Sequence, residues 1–277
     1  NRLARDVART HTGRKMIGLA YFQYTDPPQG MKFEPNVGVM VSRFPYRNWH
    51  EGYKKEDYKR IRQYVDECGA AMLFTWEYLL HPWVESNHFP PVIPRLIAED
   101  AKFLTGINVF QGSCMQVHSN KVDMSGRENE DEEWYTSQVW CHPVLDHFRL
   151  YFRMKIYDDK ALDVEALLGE YYTKFYGPAA SEVCAFIESL ENRWCDPEIA
   201  KAAGAHPYQY HNPGNLPIWW GFLGTPDFME KIQGLMEKAK KAAPAGSVYG
   251  SRVDLLDKGI LQLMINNRRH YLAANEE

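Results

Sequence analysis

The 277-residue sequence lacks the features that mark several large protein classes. It has five cysteines, Cys68, Cys114, Cys141, Cys184 and Cys195, an odd number with no C-x-x-C pair and no metal-ligand spacing. Neither a disulfide framework nor a metal site is therefore expected. No apolar run approaches the roughly 18–20 residues that a helix needs to span a bilayer. The start, Asn1-Arg2-Leu3-Ala4, is neither a signal sequence nor an initiating methionine, so the chain reads as soluble, with no membrane span. A basic excess is also missing: 32 Lys and Arg face 36 Asp and Glu, for a net charge of −4. Without a Lys/Arg stripe, nucleic acid is not an expected partner. There is no G-x-G-x-x-G or Walker loop, and Gly112-Ser113-Cys114 is not a G-x-S-x-G elbow. Dinucleotide enzymes, nucleotide-driven machines and serine hydrolases drop out, and no cofactor is expected.

Aromatic residues, by contrast, are abundant at 14%, with eight Trp and 17 Tyr. The most informative stretch is Phe74-Thr75-Trp76-Glu77-Tyr78, followed by the His-, Asn-, Trp- and Pro-rich run His81-Pro82-Trp83-Val84-Glu85-Ser86-Asn87-His88-Phe89-Pro90-Pro91. The apolar run from Ala70 to Phe74 reads as a buried strand that delivers Glu77 to a pocket rim. A carboxylate between two aromatic rings suits sugar chemistry, since aromatic faces hold pyranose rings and a partly desolvated acid handles protons. A structural acid or a helix cap is the alternative reading of the same residues.

Apolar runs and amphipathic segments alternate through the first half. Residues 1–12 carry Leu3, Ala4, Val7 and Ala8 at helical spacing. Met16–Tyr24 and Asn36–Ser42 are continuous apolar runs, the pattern of strands buried on both faces. Their outlets are Tyr24 and Arg43. Lys54–Glu67 predicts an amphipathic helix, Ile93–Leu104 another with Pro94 in its first turn, and Ile107–Phe110 a fourth strand that leads to Gln111. Such alternation predicts parallel βα units. Parallel strands direct their carboxyl ends to one crevice, so Tyr24, Arg43, Glu77 and Gln111 are expected to converge there. His81 and His88 have no third ligand at suitable spacing, so they are read as loop or substrate-contacting residues, not as metal ligands.

Residues 119–133 are polar and acidic, which suits an exposed loop and the first turn of a helix. Strands then disappear. Helices are expected over Val144–Tyr157, Val164–Tyr176 after an Asp163 cap, Ala179–Arg193, Asp227–Lys241 and Ser251–Tyr271, with a Trp-bearing loop over 206–221.

An ordered series of short motifs covers nearly the whole chain: Asn1-Arg2-Leu3-Ala4; Leu19-Ala20-Tyr21; Tyr24-Thr25 with Pro27-Pro28; Pro35-Asn36-Val37; Trp76-Glu77-Tyr78; Phe89-Pro90; Val109-Phe110-Gln111-Gly112; Leu162-Asp163; and Phe175-Tyr176-Gly177-Pro178-Ala179-Ala180. This series resembles a large bacterial glycoside-hydrolase-like family allied to α-glucuronidases and β-hexosaminidases. The resemblance implies an α/β fold, the second half of a TIM-type (β/α)8 barrel over residues 1–133 followed by a helical region over 134–277. The missing N-terminal half would carry a further carboxylate. It also implies polysaccharide degradation outside the cytoplasm, in a secreted or periplasmic setting.

On this reading the partner is a carbohydrate with an acidic or N-acetylated sugar. Glu77, where the family more often has Asp, is the base or positioning acid. Tyr24 and Arg43 orient substrate, while Trp76, His81, Trp83, Asn87, His88 and Gln111 line the subsites. Gln111 falls near a second carboxylate of the related α-glucuronidases, and an amide cannot act as a general base. A non-catalytic carbohydrate-binding or scaffold protein therefore stands as the alternative. A binding module with no sugar link would require its Trp-rich loops to be buried.

Overall fold

The computed structural model describes residues 1–78, 89–115, 143–202, 204 and 216–275. Its centre is a four-stranded parallel sheet in the order β1 (Met16–Ala20), β2 (Val37–Arg43), β3 (Leu73–Glu77) and β4 (Phe110–Met115). Helix α1 (Arg2–Thr10) precedes the sheet, α2 (Glu51–Arg62) joins β2 to β3, and α3 (Pro94–Thr105) lies between β3 and β4. The protein is thus a mixed α/β structure.

Strand alternation sorts the side chains onto two faces. Val39, Val41, Leu73 and Ala20 share a buried cluster with Ile61 of α2, Leu104 of α3, Tyr64 and Ile107. Both crossover helices therefore cover the same face. Val41 and Leu73 are fully buried, each worth about 1.5–3 kcal/mol of transfer free energy. The opposite face carries Ile17 and Leu19 of β1, which are 48% and 53% exposed. Burial on both faces, expected for Met16–Tyr24, therefore fails for this edge strand, which pairs only with β2. The strand is also shorter than its apolar run. It stops at Ala20, and Phe22–Tyr24 form a 3-10 turn.

The later strands are displaced from the apolar runs that announced them. β3 begins three residues into the Ala70–Phe74 run and ends on Glu77 itself. β4 runs Phe110–Met115 where Ile107–Phe110 was expected. A register irregularity lies between Leu73 and Phe74, which pair with Phe110 and Gly112, and Gly112 has φ 147. Gly tolerates that conformation without a Cβ clash.

The helical region follows the sequence closely. It comprises α4 (Pro143–Asp158), α5 (Val164–Tyr176), α6 (Ala180–Trp194), a short α7 (Pro197–Ala202), α8 (Pro226–Ala242), α9 (Val248–Leu256) and α10 (Gln262–Ala273). Asp163 caps α5 by accepting from the Ala166 N–H at 2.9 Å, the local bond expected of an N-cap aspartate. Gly177 ends it with φ 54. Trp219 and Trp220, expected in a loop, are buried in a π-helical turn over Pro217–Leu223. They join Trp194, Phe89 and Phe228 in the large helical core. Helix α3 serves both cores: Leu96, Ile97 and Ala101 belong to the helical one and Leu104 to the sheet's. No described helix is long and apolar enough to cross a membrane.

Candidate functional site: a buried charge cluster at the strand ends

Arg43 and Glu77 are the last residues of β2 and β3, paired in register. Both lie on the helix-covered face, two residues beyond Val41 and Thr75, and neither reaches solvent: Arg43 is 1% and Glu77 0% exposed. Apolar surroundings permit such charges only when they are paired. The partners come from three helices.

Arg43 donates from Nε to Asp57 Oδ2 at 3.1 Å, from Nη1 to Asp100 Oδ2 at 3.0 Å, and from Nη2 to Asp100 Oδ1 at 2.6 Å and to Asp57 Oδ2. Arg153, on α4, donates to Asp100 Oδ2 at 2.8 Å and to Glu77 Oε1. Asn48 Nδ2 adds a bond to Asp100 Oδ1 at 3.0 Å. Burial alone would lower the Arg43 pKa, but the carboxylates of Asp100, Asp57 and Glu77 outweigh it and raise it. Burial alone would likewise raise the Asp100 pKa. Arg43 and Arg153 outweigh burial and hold it below the ordinary carboxylate value. Arg43 and Arg153 thus face Asp57, Asp100 and Glu77, and Arg60 approaches Asp57 Oδ1 to 3.7 Å.

A hydroxyl chain leads out of this cluster. Thr75 Oγ1 and Ser113 Oγ donate to Glu77 Oε1 at 2.9 and 3.2 Å, and Ser113 Oγ lies 2.5 Å from the Tyr157 hydroxyl. Burial raises the Tyr157 pKa, so its hydroxyl stays protonated at neutral pH. The two Glu77 oxygens therefore differ. Oε1 is bound by Arg153, Thr75 and Ser113, while Oε2 has no hydrogen-bond partner among the described residues. A buried carboxylate fixed by one oxygen and unsatisfied at the other is oriented for a further partner.

Only part of the expected convergence occurs. Arg43 and Glu77 approach to 3.8 Å, but all three Arg43 nitrogens are committed to Asp57 and Asp100. A buried guanidinium with no free fork cannot orient a substrate anion, so Arg43 is a scaffold residue. Gln111 lies near the start of β4, exposed, with Nε2 on the Val109 carbonyl at 3.3 Å. The residue level with Glu77 is Met115, so Gln111 is not at the strand outlet. Tyr24 is 77% exposed in the turn beyond β1. Half-buried Trp76 occupies the opposite sheet face from Glu77. His81, Trp83, Asn87 and His88 lie outside the described residues.

Aromatic rings do gather at this end of the sheet. Tyr78 stacks on Phe44 with centroids 4.8 Å apart and lies 6.4 Å from Tyr21.

Sequence reasoning missed Asp57, Asp100, Arg153 and Ser113, yet the three charged residues left a trace. Asp57 falls between Tyr53 and Ile61 on the buried stripe of α2, and Asp100 between Leu96 and Leu104 on that of α3. Arg149 and Arg153 lie one turn apart on α4 and are both buried. A charge where the helical period demands an apolar residue signals a buried partner.

The model of one protein family matches residues 1–188. The chain belongs to the DUF4838 family, described as a domain of unknown function. No curated protein and no solved structure matches it. The DUF4838 match spans the sheet, α2, α3, α4 and α5 in full, and so includes every member of the charge cluster. Among the described residues no group of three His, Cys, Asp or Glu side chains is placed to hold a metal ion.

Proposed function

We propose that this DUF4838 chain is the second half of a (β/α)8-type barrel and acts, as part of a glycoside-hydrolase-like protein, on a glycan with an acidic or N-acetylated sugar. The sheet order supports the barrel. Four parallel strands in unbroken sequential order, with both crossover helices on one face and no described helix packed on the other, suit the wall of a half barrel. A doubly wound sheet would reverse its order and cover both faces.

The observation that carries the glycan reading is the asymmetric Glu77 carboxylate. It sits at the carboxyl end of a parallel strand, the end at which barrel enzymes keep their catalytic groups, on the face turned to the helices. One oxygen is fixed by Arg153 and two hydroxyls, the other lacks a partner among the described residues, and the half-buried rings of Tyr21 and Phe44 lie against buried Tyr78 beside the strand end, where they suit a pyranose face. Glu77 is the base or positioning acid of this reading, and the second acid belongs to the first half of the barrel. The motif resemblance to the family allied to α-glucuronidases and β-hexosaminidases points the same way.

A second reading, a carbohydrate-binding protein without turnover, is favoured by the full burial of Glu77 and its ion pair with Arg153. Incubating the complete protein with uronic-acid-bearing and N-acetylhexosamine oligosaccharides separates the two. Reducing-sugar release supports the hydrolase. Calorimetric binding without release supports the binder, and neither response to any member of the panel removes both.

A further inference from the structure

Phe22 occupies a backbone conformation that a phenylalanine rarely adopts. Its φ is 48, and it is the one non-glycine residue with positive φ among the described residues. Bulky L-residues are outliers there, because Cβ crowds the following carbonyl, and glycine is the usual occupant. Local bonds hold the turn. The Phe22 carbonyl accepts from Thr25 Oγ1 at 2.6 Å and from the Thr25 N–H at 3.3 Å, and the Tyr24 N–H donates to the Tyr21 carbonyl at 2.9 Å.

Packing does not account for the side chain, since Phe22 is 73% exposed. Its ring meets Tyr21 at right angles, with centroids 4.5 Å apart, and most of it stays in water. Strain without burial points to a role outside the fold. Two features indicate which. Tyr21 lies 6.4 Å from Tyr78, the residue directly after Glu77, and Tyr78 in turn stacks on Phe44. Phe22 is thus the exposed outer end of an aromatic track that passes through half-buried Tyr21 and is anchored on buried Tyr78 beside Glu77. Its neighbours Gln23, Thr25 and Asp26 are polar, which suits a ligand with C–H faces and hydroxyl edges better than an apolar protein surface.

We infer that Phe22 is the outer stacking platform for a pyranose ring, so the ligand is an oligosaccharide that runs along the track, not a single sugar. This rests on the glycan reading above and adds chain length to it. The complete protein and its Phe22→Gly and Phe22→Trp variants are titrated calorimetrically with N-acetylglucosamine, chitohexaose, glucuronic acid and a glucuronic-acid-bearing xylo-oligosaccharide. Thermal melting is recorded alongside.

Phe22→Gly removes the ring and relaxes the backbone. It should weaken oligosaccharide binding about tenfold, leave monosaccharide binding unchanged, and keep Tm level or raise it by about 1–3 °C. Phe22→Trp should stay within about twofold of wild type for the same oligosaccharide. Wild-type binding that Phe22→Gly leaves intact overturns the platform while the glycan reading stands. An equal loss for monosaccharides and oligosaccharides, or a fall in Tm of several degrees, makes Phe22 a packing residue. Wild type that binds none of the four probes removes both proposals.

Discussion

Replacing Arg153 with methionine would take one guanidinium from the buried cluster and leave a side chain of comparable reach. Glu77 Oε1 would keep Thr75 and Ser113, but its nearest cation would be Arg43 Nη1 at 3.8 Å. Asp100 would keep Arg43 and Asn48. The loss therefore falls mainly on Glu77, a fully buried carboxylate. Removing one partner of a buried pair costs about 3–5 kcal/mol, because the other charge stays desolvated. A folded domain loses about 2–4 °C of Tm per kcal/mol, so a fall of roughly 6–20 °C is expected. Urea unfolding supplies the free energy, with an unchanged slope if the transition stays two-state. The decisive arm is the double variant Arg153→Met/Glu77→Gln. Neutralising the stranded carboxylate should make the pair less destabilising than the sum of its parts by at least about 1 kcal/mol. Additivity within about 0.5 kcal/mol would refute the coupling on which the site description rests.

Because Arg43 and Arg153 depress the folded-state pKa of Asp100, its stabilising contribution is complete well above the unfolded value of about 3.9 and is lost as pH falls through and below it. The urea midpoint should therefore drop between about pH 5 and pH 2, and a flat midpoint across that range would count against the pairing. Gly177→Ala should destabilise by at least about 1 kcal/mol by denaturant unfolding. It places a Cβ 2.8 Å from the Tyr249 ring at φ 54, where alanine is strained; a neutral result would contradict that contact. Asp163→Ala removes the α5 cap and should cost about 1 kcal/mol in the same assay, whereas Asp163→Asn should be nearly neutral.

The sequence reveals the helices better than the strands, for a physical reason. Val164–Tyr176 declares itself through a capping aspartate, an apolar stripe and a terminal glycine, and its bounds are those observed. β3 and β4 have bounds three to five residues from the expected spans, because an apolar run marks burial, not the ladder of hydrogen bonds that defines a strand. That displacement matters at the site. With β4 extended to Met115, Ser113 replaces Gln111 as the strand's contribution to Glu77. Strand parity decides the rest: Arg43 and Glu77 are at strand ends, as read, but on the face turned to α2, α3 and α4. No local pattern reveals which face the helices cover. Asp57, Asp100 and Arg153 were legible as charges on apolar stripes, but their meeting depends on three helices that bring positions 57, 100 and 153 of the chain together.

The central claim, that Glu77 serves glycan chemistry, is tested most directly by comparing turnover of a uronic-acid or N-acetylhexosamine oligosaccharide by the complete protein and by its Glu77→Gln variant. Folding of the variant is verified by its circular dichroism, and substrate affinity is measured by calorimetry. The account predicts a fall in turnover of about two to four orders of magnitude with affinity nearly unchanged, the signature of a lost proton-transfer group. A folded Glu77→Gln variant that turns over and binds the glycan like wild type would contradict it and leave Glu77 as a structural partner of Arg153.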